Sequence, residues 1–359
     1  MKHWALFLLF NLPTLLHAQS ELKVGSNDFN FKFQDRHYAG FLDIPEGEVK
    51  GIILLIPGSG KTDFLGEGGF AHFFQQKRDS LLRLGFGVCA WDKHGCGQTE
   101  GTYQDDLSIE DSAEEAKAAI VALQKKQVPG INHIGLWGIS RGGWVCPLII
   151  STTPVVAFWI SVSGTSQYDN FRYLLETNFR LEGESADKVA ILLKEWDFHM
   201  HALYHELVSY KDYVEGTKNL YAADFYKKLS QQLLDSTTFK HIQAELKLSP
   251  NPFDPETGLR IQVPNFHDHL SQVKIPVLAI LGEKDSQVDW ASTKTLYEQT
   301  MGKESKAQLK VVSLPNCNHL MMECKTGAMF EDLAAFDYRL CPEYYPAMKN
   351  WLSRLQFED

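Results

Sequence analysis

The sequence predicts an α/β fold, in which a mostly parallel central sheet is flanked by helices and carries an inserted helical cap. Three observations predict it. Short continuous apolar runs recur at 51–56, 87–91, 134–137, 155–161, 276–281 and 310–314, as expected of strands buried on both faces. Amphipathic segments of helix length fill most of the intervals, and strand–helix–strand alternation implies parallel strands joined by crossovers. Between 165 and 269 the strand runs stop, for a stretch too long to be a plain loop inside a compact domain.

Each element has its own signal. Residues 21–45 alternate around Phe29, Phe31, Phe33, Tyr38 and Phe41, which predicts an opening antiparallel hairpin. Pro45-Glu46-Gly47 closes it, and the first buried strand, 51–56, runs into Pro57-Gly58-Ser59-Gly60-Lys61-Thr62-Asp63. A helix is expected over 70–84. The strand 87–91 ends in Asp92-Lys93-His94-Gly95-Cys96-Gly97. The helix over 108–126 carries acidic residues in its first turns, where the helix dipole favours them. Strand 134–137, helix 141–150 and strand 155–161 follow. Inside the cap, helices are expected over 171–182, 185–210 and 224–234, and Pro250, Pro252, Pro255 and Pro264 make a loop of its end. Strand 276–281, helix 290–301, strand 310–314 and a closing helix over 344–355 complete the chain.

Composition narrows the classes. With 359 residues, 44% of them hydrophobic and 22% charged, the chain can bury a large core. The formal charge is −10 and Lys and Arg form no cluster, so no nucleic-acid partner is expected. The N-terminus reads Met-Lys-His, then an apolar run from Trp4 to Leu16, then His17-Ala18. A basic start, a short apolar run and a small residue describe a signal peptide over 1–18, cleaved after Ala18. The run is too short to cross a bilayer comfortably, so no stable membrane insertion is expected and the mature chain would be exported, periplasmic or secreted. The expected organisation is therefore 1–18 signal peptide, 19–164 first part of the core, 165–269 helical cap, and 270–359 second part of the core.

The chemistry gathers at strand ends. Gly138-Ile139-Ser140-Arg141-Gly142 is G-x-S-x-G between an expected strand and an expected helix. A serine hydroxyl attacks well only when held exposed beside a base. A sharp strand-to-helix turn holds Ser140 that way, and the glycines let strand and helix approach. Such a site needs an acid and then a histidine, each following a later strand. Asp285 follows 276–281 and His319 follows 310–314, while Gly58-Ser59-Gly60 follows the first buried strand. All four lie at the C-terminal edge of the expected sheet, where open α/β sheets bind ligands. Glu283 and Asp289 are rival acids on the same loop as Asp285. Lys93 and His94 read as structural loop residues.

On these residues the chain resembles the α/β-hydrolase-fold serine hydrolases, and within them the exported bacterial esterases and the serine aminopeptidase-like group. The resemblance is carried by 55–63, 91–97, Gly138-Ile-Ser-Arg-Gly142, 281–288 and Asn318-His319, and covers roughly 50–163 and 270–357 of the chain. The first loop departs from the pattern at Lys61, Phe64 and Leu65, where a more polar run is usual. The resemblance implies a nucleophile at Ser140, a general base at His319 and its orienting acid at Asp285. It implies an oxyanion hole of backbone N–H groups from Gly58, Ser59 and Arg141. The reaction implied is cleavage of a small-molecule carboxylic ester through an acyl-enzyme, with no cofactor. A peptidase, or an acyl-transferring or thioester-cleaving relative, would use the same triad, whereas a non-catalytic binding protein on this fold need not keep all three residues.

The remaining signals are weaker. His201 and His205 stand at i, i+4, but His201-Ala-Leu-Tyr-His205 lacks the glutamate of the metalloprotease pattern, so no metal is expected. Trp196, Phe198, Tyr204, Tyr210 and Tyr213 read mostly as cap core, with a few lining an acyl pocket. Of six cysteines, Cys89 and Cys146 lie in core-like runs and Cys317, Cys324 and Cys341 are the better disulfide candidates.

Overall fold

A computed structural model describes residues 22–204, 207–230, 233–248, 252–304 and 308–357. The expected signal peptide at 1–18 and His205 lie outside the described residues. The strands are β1 (Gly25–Phe33), β2 (Arg36–Ile44), β3 (Gly51–Ile56), β4 (Phe86–Trp91), β5 (Ile134–Ile139), β6 (Val156–Val162), β7 (Val277–Gly282) and β8 (Leu309–Leu314). Among the described residues they form one sheet, in the order β1-β2-β4-β3-β5-β6-β7-β8. The pairs β1–β2 and β2–β4 are antiparallel and the other five are parallel. Every residue of β3, β4, β5 and β7 is buried, so these strands are apolar throughout. At the sheet edge β1 alternates instead, burying Phe29 and Phe31 and exposing its neighbours.

Helices α1 (Gly69–Leu82), α2 (Ile109–Lys125) and α3 (Gly142–Ile150) lie in the first part of the core, α11 (Trp290–Gln299) and α12 (Tyr344–Leu352) in the second. They build two layers, one on each sheet face. Ile52, Leu54, Leu136 and Trp159 pack on one side with α2 and α3, and Ile53, Leu55, Trp137 and Ile160 pack on the other with α1 and α12. That split follows from the two-residue period of a strand. Ser108 starts α2 by accepting a bond from Asp111 N at 2.9 Å, with Glu110 and Asp111 in the first turn.

Between β6 and β7 lie α4 (Phe171–Leu181), α5 (Ala186–Tyr204), α6 (Tyr210–Gly216), α7 (Lys218–Ala222), α8 (Asp224–Ser230), α9 (Ser236–Leu246) and α10 (Phe266–Ser271). The first six have cores of their own. One gathers Leu175, Phe179, Val189, Leu192 and Phe225, the other Ala202, Tyr213 and Phe239. Helix α10 differs, because Val263, Phe266, Leu270 and Val273 join the core of the sheet. The chain thus rejoins the sheet's core a few residues before 269. The helix expected over 185–210 is two. Helix α5 ends at Tyr204, and the Ser209 hydroxyl accepts from Asp212 N to begin α6. Asp235 begins α9 in the same way, accepting from Thr237 N and Thr238 N. Ser209 and Asp235 are helix-start signals that outweigh the run of helix-forming residues around them.

Of the three favoured cysteines, Cys317 and Cys341 form a disulfide, and Cys324 keeps a free buried thiol, as do Cys89, Cys96 and Cys146. The bridge spans a sequence separation of 24. Closing a loop of that size restricts the unfolded chain enough to contribute about 3 kcal/mol to stability. Urea unfolding should therefore show Cys317→Ser/Cys341→Ser less stable than wild type by about that amount. An unchanged midpoint at unchanged slope would show that the bridge contributes nothing.

Candidate active site

The expected nucleophile sits at a backbone outlier. Strand β5 ends at Ile139, and Ser140 takes φ +54°, the left-handed region that a side chain ordinarily avoids. Such a residue costs roughly 1–3 kcal/mol and persists because its surroundings over-determine it. Ser140 N donates to Val162 O at 3.0 Å and Gly143 N donates to Ser140 O at 2.7 Å. The crossing of strand and helix is tight. A Cβ on Gly142 would lie 2.8 Å from Ile56 O, a backbone atom that cannot step aside. Ser140 is half-buried, and Arg141, at the start of α3, is buried. The Arg141 side chain reaches the start of α2, donating to Ser112 Oγ at 3.1 Å and to Leu107 O.

The acid and the histidine meet. Asp285 follows β7 and His319 follows β8, and His319 Nδ1 lies 2.7 Å from Asp285 Oδ2. Both side chains are almost fully buried. The other carboxylate oxygen, Asp285 Oδ1, accepts from Gln287 N at 2.8 Å and Val288 N at 2.9 Å. The rival acids are placed elsewhere. Glu283 is exposed, and Asp289 caps α11 by accepting from Ser292 N and Ser292 Oγ. No hydrogen bond joins Ser140 Oγ to His319 among the described residues. Nucleophile–base contacts are often long in ligand-free sites and tighten when substrate binds.

Several residues support this arrangement, and of these Ser163, Tyr173 and Asn178 had no signal in the sequence pattern. Ser163, just past β6 and also at positive φ (+45°), is buried and donates its hydroxyl to His319 O at 2.6 Å. The residue before it, Val162, accepts the Ser140 N–H, so the loops bearing Ser140 and His319 hang from adjacent positions at the end of β6. Asn318 Oδ1 accepts from Leu320 N and Met322 N, and the Cys317 disulfide stands two residues before His319. Helix α4 of the cap braces the acid loop. Tyr173 Oη donates to Asp285 O at 2.9 Å and Asn178 Nδ2 donates to Ser286 O at 3.0 Å.

The Gly58–Ser59 turn stands over the serine. A Cβ on Gly58 would meet Ser140 Cβ at 3.2 Å and Ser140 Oγ at 3.7 Å. Phe64, one of the residues that departs from the expected polar run, is buried against Phe41, Phe70 and Phe74. It anchors the far end of this loop in the core. Lys61 lies over the Tyr103 ring and Leu65 is exposed.

A separate cleft of about 370 Å³ opens in the cap, between α4, α5 and the 252–261 segment. Trp196, stacked on Phe171, forms one wall with Met200, Phe253 and Leu259. Arg172 pairs there with Asp197 at 3.1 Å and Arg260 with Asp169 at 3.8 Å. Tyr213 and Phe198 pack in the cap core instead. Among the described residues no His, Cys, Asp and Glu group has the arrangement of a metal site, and no helix is long and apolar enough to cross a membrane.

A strained serine after β5, a buried aspartate–histidine pair after β7 and β8, and a glycine turn after β3 define an α/β hydrolase. Residues 53–333 match the model of the alpha/beta hydrolase family, and the chain belongs to that family. Solved structures with the same fold include an esterase from Pyrococcus furiosus, 15% identical, covering 92% of this chain and 91% of that one with a TM-score of 0.53. They also include a proline iminopeptidase from Mycobacterium smegmatis, 16% identical, covering 91% and 98% with a TM-score of 0.52. No curated protein matches the chain in sequence.

Proposed function

We propose that the protein is a serine hydrolase that cleaves carboxylic esters through Ser140, His319 and Asp285. The observation that carries the proposal is the 2.7 Å bond between His319 Nδ1 and Asp285 Oδ2, at the same sheet edge as the strained Ser140. In this mechanism Nδ1 carries the proton donated to Asp285, which leaves Nε2 free to accept the Ser140 proton. The serine oxygen attacks the ester carbonyl as its proton passes to His319. The tetrahedral oxyanion is held by the N–H groups of Arg141 and the Gly58–Ser59 turn. Collapse expels the alcohol, which takes the proton from His319. Water then attacks the acyl-enzyme with His319 again as base, releasing the acid and free Ser140.

The Arg141 N–H suits that role. It precedes the first turn of α3, has no acceptor among the described residues, and stands at the positive end of the helix dipole. The proposal includes export. The basic and apolar start ending at Ala18 supports it, and a disulfide at Cys317–Cys341 is compatible with an oxidising compartment. Protein recovered from outside the cytoplasm should begin at Gln19 by mass spectrometry and should hydrolyse short p-nitrophenyl acyl esters. A panel of esters, thioesters, anilides and aminoacyl amides then separates the activities open to this triad. Higher kcat/KM on amides or thioesters than on matched esters would overturn the ester assignment while leaving the nucleophile in place.

A further inference from the structure

The oxyanion loop, 58–64, has no regular secondary structure of its own. Its shape is set from the loop after β4. Asp92 Oδ1 accepts from Phe64 N at 2.8 Å, and Lys93 N donates to Thr62 Oγ1 at 2.8 Å. The Lys93 side chain goes further. Its ammonium donates to Gly58 O at 2.7 Å, to Gly60 O at 2.9 Å and to Asp106 Oδ1 at 2.5 Å. Asp106 returns to the same loop, its Oδ2 accepting from Gly60 N at 2.9 Å. All three ammonium protons are used, and both side chains are mostly buried. A small cavity of about 30 Å³, lined also by Glu115 and Arg141, lies beside the cluster.

We propose that Lys93 is a positioning residue for the oxyanion hole, resting on the reading of Ser140 as nucleophile. In a planar trans peptide the C=O and the next N–H point in opposite directions. Drawing Gly58 O onto the ammonium therefore fixes the Ser59 N–H on the other side of the turn. Gly58 packs on Ser140 Cβ, so that peptide is the part of the loop within reach of an oxyanion formed there. A charge on the acceptor side of a peptide also polarises its donor side, because hydrogen bonds in a chain strengthen one another. Asp106 holds the ammonium in place and offsets part of its burial. Arg141 and Glu115 are the other charged groups facing it from α3 and α2, and burial lowers the lysine's proton affinity against the pull of Asp106.

The test compares wild type, Lys93→Met and Lys93→Arg on a p-nitrophenyl ester, with inhibition by a trifluoromethyl ketone and by the product acid. The ketone forms a tetrahedral oxyanion on the nucleophile; the acid does not. Lys93→Met should lower kcat by about 10–10³-fold and weaken the ketone by a similar factor, as loss of an aligned oxyanion donor would. KM and product-acid inhibition should stay nearly unchanged, and Lys93→Arg should restore part of the loss. Wild-type kcat and ketone affinity in a folded Lys93→Met would overturn the proposal. So would equal losses in ketone and product affinity, which would indicate general damage. If Lys93→Met does not fold, Asp106→Asn keeps the ammonium but frees it to move, and should show a smaller loss in the same pattern; an unchanged ketone affinity there overturns the proposal. Ser140→Ala, run alongside, separates the two readings. Surviving hydrolysis in Ser140→Ala sinks the nucleophile assignment. An inert Ser140→Ala beside a fully active Lys93→Met sinks only the clamp.

Discussion

Ser140→Ala should lower kcat/KM for ester hydrolysis by about 10⁴-fold or more, leaving only the catalysis that binding and the oxyanion donors supply without a nucleophile. The size of the loss follows from the mechanism. The acyl-enzyme route divides one difficult displacement into two easier ones, and without the serine oxygen neither step exists. The variant should fold. The left-handed conformation at 140 is imposed by its neighbours, through Ser140 N to Val162 O and Gly143 N to Ser140 O, and both bonds use backbone atoms that alanine keeps. An alanine there bears the same Cβ strain as the serine, so stability should change by less than about 1 kcal/mol. Matched thermal unfolding and hydrolysis assays check both halves. A folded Ser140→Ala that retains hydrolysis would remove Ser140 from the reaction.

The parallel strands were legible because burial on both faces makes a strand apolar from end to end, as in β3, β4, β5 and β7. Once their ends are known, residue type points to Ser140, Asp285 and His319, since each follows a strand and each has a distinctive chemistry. The supports around them follow no such rule. Lys93 and Asp106 are 13 residues apart on an irregular stretch, and two of the three acceptors of Lys93 are backbone carbonyls, which any sequence supplies. Ser163 looks like any serine after a strand until its positive φ and its bond to His319 O are seen. Phe64 was visible only as an oddity, an apolar residue in a loop that needed polarity. Its partners come from two elements, Phe41 from β2 and Phe70 and Phe74 from α1, and only the folded chain brings them together.

The cap was legible as helical but not in its divisions. Its aromatics are divided between two small cores, and α5 contributes to both, so no single long apolar stripe marks the boundaries. The caps at Ser209 and Asp235 were the available signals, each a side-chain acceptor two or three residues before the N–H it serves. Which helix touches the loops after the strands, among them the one bearing Asp285, was not readable at all. Tyr173 and Asn178 reach them because α4 leaves β6 beside the end of β7, a consequence of strand order.

The strand-end acid gives the second large effect. Asp285→Asn should lower kcat by about 10³–10⁴-fold with little change in stability. The two carboxylate oxygens have divided tasks. Oδ1 accepts from Gln287 N and Val288 N, while Oδ2 faces His319 Nδ1. An asparagine must keep its oxygen toward the two backbone N–H groups, because turning the NH₂ there would set donor against donor twice. The NH₂ group is then forced toward His319. An NH₂ donates, so Nδ1 must become the acceptor and the imidazole proton moves to Nε2. With a proton on Nε2, His319 cannot accept one from Ser140, and the base is lost while its position is kept. Asp285→Ala is a poorer test, since it leaves two buried N–H groups unpaired and changes the fold's stability along with the chemistry. Asp289→Asn serves as the control, because Asp289 engages Ser292 and, among the described residues, makes no bond to His319; it should stay within a few-fold of wild type. Full activity in a folded Asp285→Asn, or a comparable loss in Asp289→Asn, would move the acid's role away from Asp285.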